Sequence, residues 1–152
     1  MILAYEGKTE YVIAIPDKAI AEEKIASTEL QEYIFKVSGI KLDIVEEKGS
    51  GDKAIFIGNT RFSQSNGVKT DVPEKWIIKT IGNSLVLTGG RPRGCLYAVY
   101  HFLEDIIGIR WWNPWEEFVP ENSVINIDTL DMSGMPAFMY RDLYHACVDN
   151  TL

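Results

Sequence analysis

Trp76-Ile77-Ile78-Lys79-Thr80-Ile81-Gly82-Asn83-Ser84-Leu85-Val86-Leu87-Thr88 consists of two apolar, largely β-branched runs flanking a glycine-bearing pair, the pattern of an antiparallel hairpin. Directly after it, Gly89-Gly90-Arg91-Pro92-Arg93-Gly94 leads from strand to helix. In that helix Leu96, Val99, Tyr100, Leu103, Ile106 and Ile107 form one stripe, and Gly108 stops it. Burying such a stripe carries on the order of 10 kcal/mol of gross transfer energy, at roughly 1.5–3 per large side chain, much of it offset by chain entropy.

Upstream the same logic repeats. Tyr11-Val12-Ile13-Ala14-Ile15 reads as a buried strand, and Asp17 is placed to cap a helix over Ala19–Val37. Its apolar positions Ala26, Leu30, Tyr33, Ile34 and Val37 share a face, and Gly39 ends it. Leu42–Val45 and Ala54–Ile57 supply further strands, with a polar, irregular excursion over 59–73. Short extended pieces are expected at Ile109–Trp112, Glu117–Val119 and Val124–Ile127. Two helices, each with one apolar face, against strands that include a hairpin predict an α/β fold of the α+β kind. It is a two-layer sandwich, a mixed sheet with two main helices packed on one face. The competing architecture is an all-parallel sheet with helices on both faces. Leu130–Pro136 reads as a linker, Ala137–Tyr140 as a further strand, and the sequence stops at Leu152 like a cut chain.

One domain fits 152 residues. The 15 basic and 22 acidic side chains give a net charge of −7 and a pI near 4.8, which argues against nucleic acid or an anionic membrane as partner. A hydrophobic share of 46% with 24% charged residues excludes a disordered chain, and no apolar run approaches a membrane span. Met1-Ile2-Leu3-Ala4 lacks the pattern of a signal peptide, so either the protein is cytoplasmic or a leader has been removed. Cys95 and Cys147 are too few for a disulfide scaffold and read as buried thiols, although their number does not exclude a single bridge.

Candidate chemistry is sparse. The loop Gly89–Gly94 sits where phosphate-binding loops sit, but it lacks the Lys-Ser/Thr pair and the dinucleotide glycine spacing; a tight turn is the simpler reading. Arg110-Trp111-Trp112-Asn113-Pro114-Trp115 places three indoles in five residues. Strand alternation sends Trp111 and Trp112 to opposite sides, so one of them is exposed or covered by a neighbouring domain. Exposed indoles stack on sugars; buried ones are core or interface. His101 reads as a surface or interface histidine, and neither it nor His145 has a metal-ligand spacing around it. The adjacent acids Glu22-Glu23, Glu46-Glu47 and Glu116-Glu117 diverge on any regular element, so none is a convergent acid/base pair. No catalytic residue, metal site or cofactor is expected within this chain.

Leu30-Gln31-Glu32-Tyr33-Ile34, Ile55-Phe56-Ile57-Gly58, Leu87-Thr88-Gly89-Gly90-Arg91-Pro92-Arg93-Gly94, Tyr97-Ala98-Val99-Tyr100-His101-Phe102-Leu103-Glu104 and Gly108-Ile109-Arg110-Trp111-Trp112 together resemble one domain. It is the N-terminal domain of glycoside hydrolase family 67 α-glucuronidases, which is also the second domain of family 20 β-N-acetylhexosaminidases. The resemblance covers nearly the whole chain and implies a non-catalytic sandwich over 1–130, followed by a linker and the start of a truncated (β/α)8 barrel over 131–152. It implies a partner in the same polypeptide, the C-terminal barrel, and a bacterial, secreted glycoside hydrolase parent active on polysaccharide, extracellular or periplasmic. It also implies a sugar-holding role for Arg141 in the intact protein. The family 20 pattern has glycine where this chain has Asp142. The family 67 Asn-His-Trp-Asp-Asn run is here Tyr144-His145-Ala146-Cys147-Val148-Asp149-Asn150. The expected function is that of an accessory domain packing on the barrel, with Trp111, Trp112 and Trp115 as interdomain or glycan contacts; the alternative is a carbohydrate-binding module built on the same three tryptophans.

Overall fold

In a computed structural model of the chain, which describes residues 1–138, ten strands and three helices follow in order: β1 (Ile2–Tyr5), β2 (Val12–Ile15), α1 (Ala21–Ser38), β3 (Ile44–Glu46), β4 (Ala54–Ile57), α2 (Arg61–Ser65), β5 (Trp76–Ile81), β6 (Ser84–Gly89), α3 (Gly94–His101), β7 (Arg110–Asn113), β8 (Glu116–Phe118), β9 (Val124–Asn126) and β10 (Asp131–Gly134). Six strands form the main sheet in the order β10-β5-β6-β4-β2-β3. The four strands β6, β4, β2 and β3 run parallel, while β5 is antiparallel to both β6 and β10. The hairpin expected around Gly82-Asn83 is therefore what makes the sheet mixed.

Both main helices contribute to one core that includes Ile13, Ile55, Leu85 and Leu87 from the sheet. On α1 the predicted face is buried, Ala26, Leu30, Tyr33, Ile34 and Val37, joined by Glu23 and Ser27. On α3 the buried stripe is instead Cys95, Ala98, Val99, Phe102 and Leu103, with Leu96, Tyr100, Ile106 and Ile107 only partly covered. The helix widens into a π-type turn over Phe102–Ile107, and that change of period rotates the later residues out of the face a uniform 3.6-residue spacing assigns them. The opposite sheet face has its own small cluster, Ala14, Ala54, Phe56, Val68 and Val86. Phe62 of α2 stacks on Phe56 with ring centroids 4.1 Å apart. Covered on both sides, β4 is buried throughout and β6 nearly so, as the unbroken apolar runs of central parallel strands require.

Three local expectations are corrected. Asp17 does not cap α1. The N-cap is Ile20, whose backbone N–H donates to the Glu23 carboxylate at 3.0 Å, while Asp17 pairs with Lys48 at 2.7 Å and Arg61 at 2.9 Å. The excursion over 59–73 contains α2, started by Thr60, whose hydroxyl accepts from Ser63 N–H at 3.1 Å. The stretch read as a linker supplies β10, an edge strand paired with β5 from Asp131–Lys79 to Gly134–Trp76. Its sequence carries no strand signal, because its pairing is set by the neighbour rather than by its own side chains. The N-terminal residues also pair, β1 with β9, and bring Leu3, Ala4 and Ile125 into the core.

Candidate functional site

Two places drew chemical interest in the sequence: the glycine-arginine loop and the tryptophan run. In the loop, each glycine is required by contact with backbone. A Cβ on Gly90 would lie 1.8 Å from the Val72 carbonyl oxygen, and one on Gly89 or Gly94 would lie 2.4 or 2.5 Å from that of Lys75. The loop packs on 72–75, with Gly90 N–H donating to the Lys75 carbonyl at 2.8 Å. Its arginines serve the protein itself. Arg91 meets the carboxylate of Glu23 through Nε at 3.3 Å and Nη2 at 3.2 Å, and Arg93 pairs with Glu74.

Glu23 is 1% exposed and also accepts the Asn59 backbone N–H at 3.1 Å, so one carboxylate ties the start of α1, the end of β4 and the turn after β6. Gly58, at φ +79, passes so close that a Cβ there would stand 2.6 Å from the Glu23 side chain. The Arg91 guanidinium is thus already paired with an internal carboxylate. His101 does not face a site either; it stacks on Trp76 with centroids 4.2 Å apart, its Nδ1 3.0 Å from Asp105. Cys95 is a buried free thiol, pushed up to about 12 by burial and secondarily by the charge of Glu23, and is therefore unsuited to nucleophilic work. Among the described residues no cluster of His, Cys, Asp and Glu could hold a metal ion, and no helix is long and apolar enough to cross a membrane.

The tryptophan run forms the β7–β8 hairpin, with Trp111 opposite Glu117 and Arg110 opposite Phe118. The tryptophans divide three ways. Trp111 packs inward against the core, edge-on to Tyr33 and Tyr100, each at 5.4 Å between centroids. Its indole N–H donates to the Tyr33 hydroxyl at 2.6 Å, which donates in turn to Glu117 Oε2 at 2.6 Å. Lys36 Nζ donates to the other oxygen of Glu117 at 2.6 Å and lies 4.5 Å over the Tyr33 ring. The Lys36 ammonium and then the Tyr33 hydroxyl hold the Glu117 carboxyl below its ordinary value. Burial, then the bond to Glu117, raises the Tyr33 phenol, and burial, then the charge of Glu29, pushes Tyr100 up to about 12. These groups brace the hairpin against α1 and α3.

Trp112 is 68% exposed and Phe118 53%. Trp112 is the extra residue where the register slips between Trp111 and Asn113 and has no partner on β8, whereas Phe118 pairs with Arg110. Trp115, in the turn, is 90% exposed. It borders a cleft of about 570 Å³ lined by Tyr33, Trp111, Asn113, Pro114, Glu116 and Glu117. Sequence reasoning missed Tyr33, Lys36 and Glu117 as partners of the run, since each is separated from it by the fold; only the apolar-face position of Tyr33 was visible. Arg141, the sugar-holding residue implied by resemblance, lies outside the described residues, as do Asp142, His145, Cys147 and Asp149.

Residues 5–102 match the model of the family described as glycosyl hydrolase family 67 N-terminus. No curated protein matches the sequence. Among solved structures, the chain is similar to a novel family GH115 4-O-methyl-α-glucuronidase with specificity for decorated arabinogalactans, at 12% identity and a TM-score of 0.57 over 91% of this chain and 19% of that one. A GH138 enzyme targeting pectin rhamnogalacturonan II aligns at 14% identity and TM-score 0.44, over 64% of this chain and 10% of that one. The GH20 β-N-acetylhexosaminidase from Streptomyces coelicolor A3(2) aligns at 13% identity and TM-score 0.43, over 65% and 18%. The chain spans less than a fifth of the length of each of these structures.

Proposed function

The chain belongs to the family of glycosyl hydrolase family 67 N-termini, and on that footing we propose that it is a non-catalytic accessory domain that packs on its parent's catalytic barrel through the outer face of the β7–β8 hairpin. Membership implies a catalytic domain in the same polypeptide. The observation that carries the docking role is that Trp112 and Phe118 are both exposed on a hairpin that Trp111 fixes to the core. Two large apolar side chains on a braced, outward-facing surface suit an interface, which gains their burial without ordering the backbone first. The exposed flank of α3, against which the hairpin rests through Tyr100, extends the same surface. We place the parent's work in polysaccharide degradation outside the cell or in the periplasm, because polymeric substrates do not cross membranes; the family assignment supports the glycoside chemistry alone.

Scanning calorimetry of the full-length parent tests the docking. The accessory and catalytic domains are expected to unfold in one coupled transition, and Trp112→Ala with Phe118→Ser is expected to split it, leaving the melting temperature of the 152-residue chain alone within a few degrees. An unchanged, unsplit transition in the double variant overturns the proposed contact. Turnover of aryl glycosides by the chain alone overturns its non-catalytic role.

A further inference from the structure

We propose that the cleft beside Trp115 is a subsite for a neutral oligosaccharide, with the indole as stacking platform and the Glu117 carboxylate as an acceptor for sugar hydroxyls. The inference goes beyond the docking role and uses a different surface, the tip and inner rim of the hairpin rather than its outer face. Trp115 is held out by a cross-braced turn: its backbone N–H donates to Asn113 Oδ1 at 2.9 Å, and Asn113 Nδ2 donates to Glu116 Oε2 at 2.6 Å. Those bonds order the backbone that carries the indole, which lowers the conformational cost of binding. The volume of about 570 Å³ is in the range of small-ligand sites.

The lining selects the class of ligand. A pyranose offers a face of C–H groups, which suits an indole, and a rim of hydroxyl donors. Glu117 already accepts from Tyr33 and Lys36, yet a carboxylate has about four lone-pair sites and keeps capacity for a hydroxyl. An apolar occupant would strip water from Glu117 without replacing those hydrogen bonds, at a cost that disfavours it; a sugar rim replaces them. An acidic sugar is disfavoured for another reason. Lys36, the cation beside the cleft, is committed to Glu117 at 2.6 Å, and a uronate would meet that carboxylate on a chain of net charge −7. The three tryptophans do not form one platform, because Trp111 is turned inward and forms the wall.

The test titrates xylotetraose, cellotetraose and chitotetraose into the 152-residue chain, with tri-galacturonate as the acidic comparator, following tryptophan emission and amide chemical shifts. At least one neutral sugar is expected to saturate with Kd on the order of 1 mM. Trp115→Ala should weaken it at least about fivefold, the scale of one stacked ring, without lowering the melting temperature, whereas Trp112→Ala should leave it unchanged. Tri-galacturonate should bind more weakly than the best neutral sugar. No saturation by any neutral sugar, saturation that survives Trp115→Ala, loss on Trp112→Ala, or tighter binding of tri-galacturonate each overturns the subsite. None of these results touches the calorimetric test of docking, so the two readings fail separately.

Discussion

Replacing Glu23 with alanine should cost the fold about 3 kcal/mol. The side chain is 1% exposed and serves three partners from three segments: the Ile20 N–H at 3.0 Å, the Asn59 N–H at 3.1 Å, and the Arg91 guanidinium at 3.2–3.3 Å. Hydrogen bonds to a charged acceptor are worth about 1.5–3 kcal/mol each. Arg91 is half exposed and rehydrates when released, so the loss is carried mainly by the two backbone amides. Water entering the vacated space beside Gly58 returns part of it, which brings the total to about 3 kcal/mol. Against a domain stability of roughly 5–15 kcal/mol that is a large fraction. Urea unfolding followed by far-UV circular dichroism is the assay. Glu23→Gln, which keeps one acceptor oxygen, should fall between wild type and Glu23→Ala, and Arg91→Ala, which leaves the buried carboxylate without its cation, should cost about 1–3 kcal/mol. A loss below about 1 kcal/mol for Glu23→Ala would show that Glu23 is a spectator of the three segments rather than their tie.

Gly90→Ala, whose Cβ would sit 1.8 Å from the Val72 carbonyl oxygen, should cost at least about 3 kcal/mol, whereas Gly67→Ala, at φ +70 in open space, should cost only about 1–2; equal urea midpoints for the two would refute the packing role of the loop. For Glu117, whose carboxyl is held below its ordinary 4.5 by Lys36 and Tyr33, the bracing of the hairpin is complete above pH 4.5 and is lost as pH falls through the lower folded-state value. Carbon NMR of the Glu117 carboxyl should locate that step below 4.5 and move it upward in Lys36→Met, and a step that stays put would deny the pairing.

The local elements were legible because their causes are local. Ala26, Leu30, Tyr33, Ile34 and Val37 recur at helical spacing whatever α1 packs against, Gly39 takes the left-handed φ of 72 that ends the helix, and Gly82-Asn83 turns the β5–β6 hairpin that makes the sheet mixed. By itself the sequence determined the fold class and the absence of a phosphate-loop spacing, both consequences of period and sterics within a few residues. Only the tertiary structure decided where the charged side chains go. Asp17 has the chemistry of a helix cap but is drawn to Lys48 and Arg61, and Glu23 takes the capping role because folding brings Asn59 and Arg91 to the same carboxylate. The tertiary structure likewise decided that Asp131–Gly134 is a strand, since an edge strand borrows its order from the hydrogen-bonding edge of β5. It also joined Tyr33 to Glu117 across 84 residues. Electrostatic pairing and sheet register depend on which distant segments meet, and the periodicity of a single segment carries no information about its neighbours.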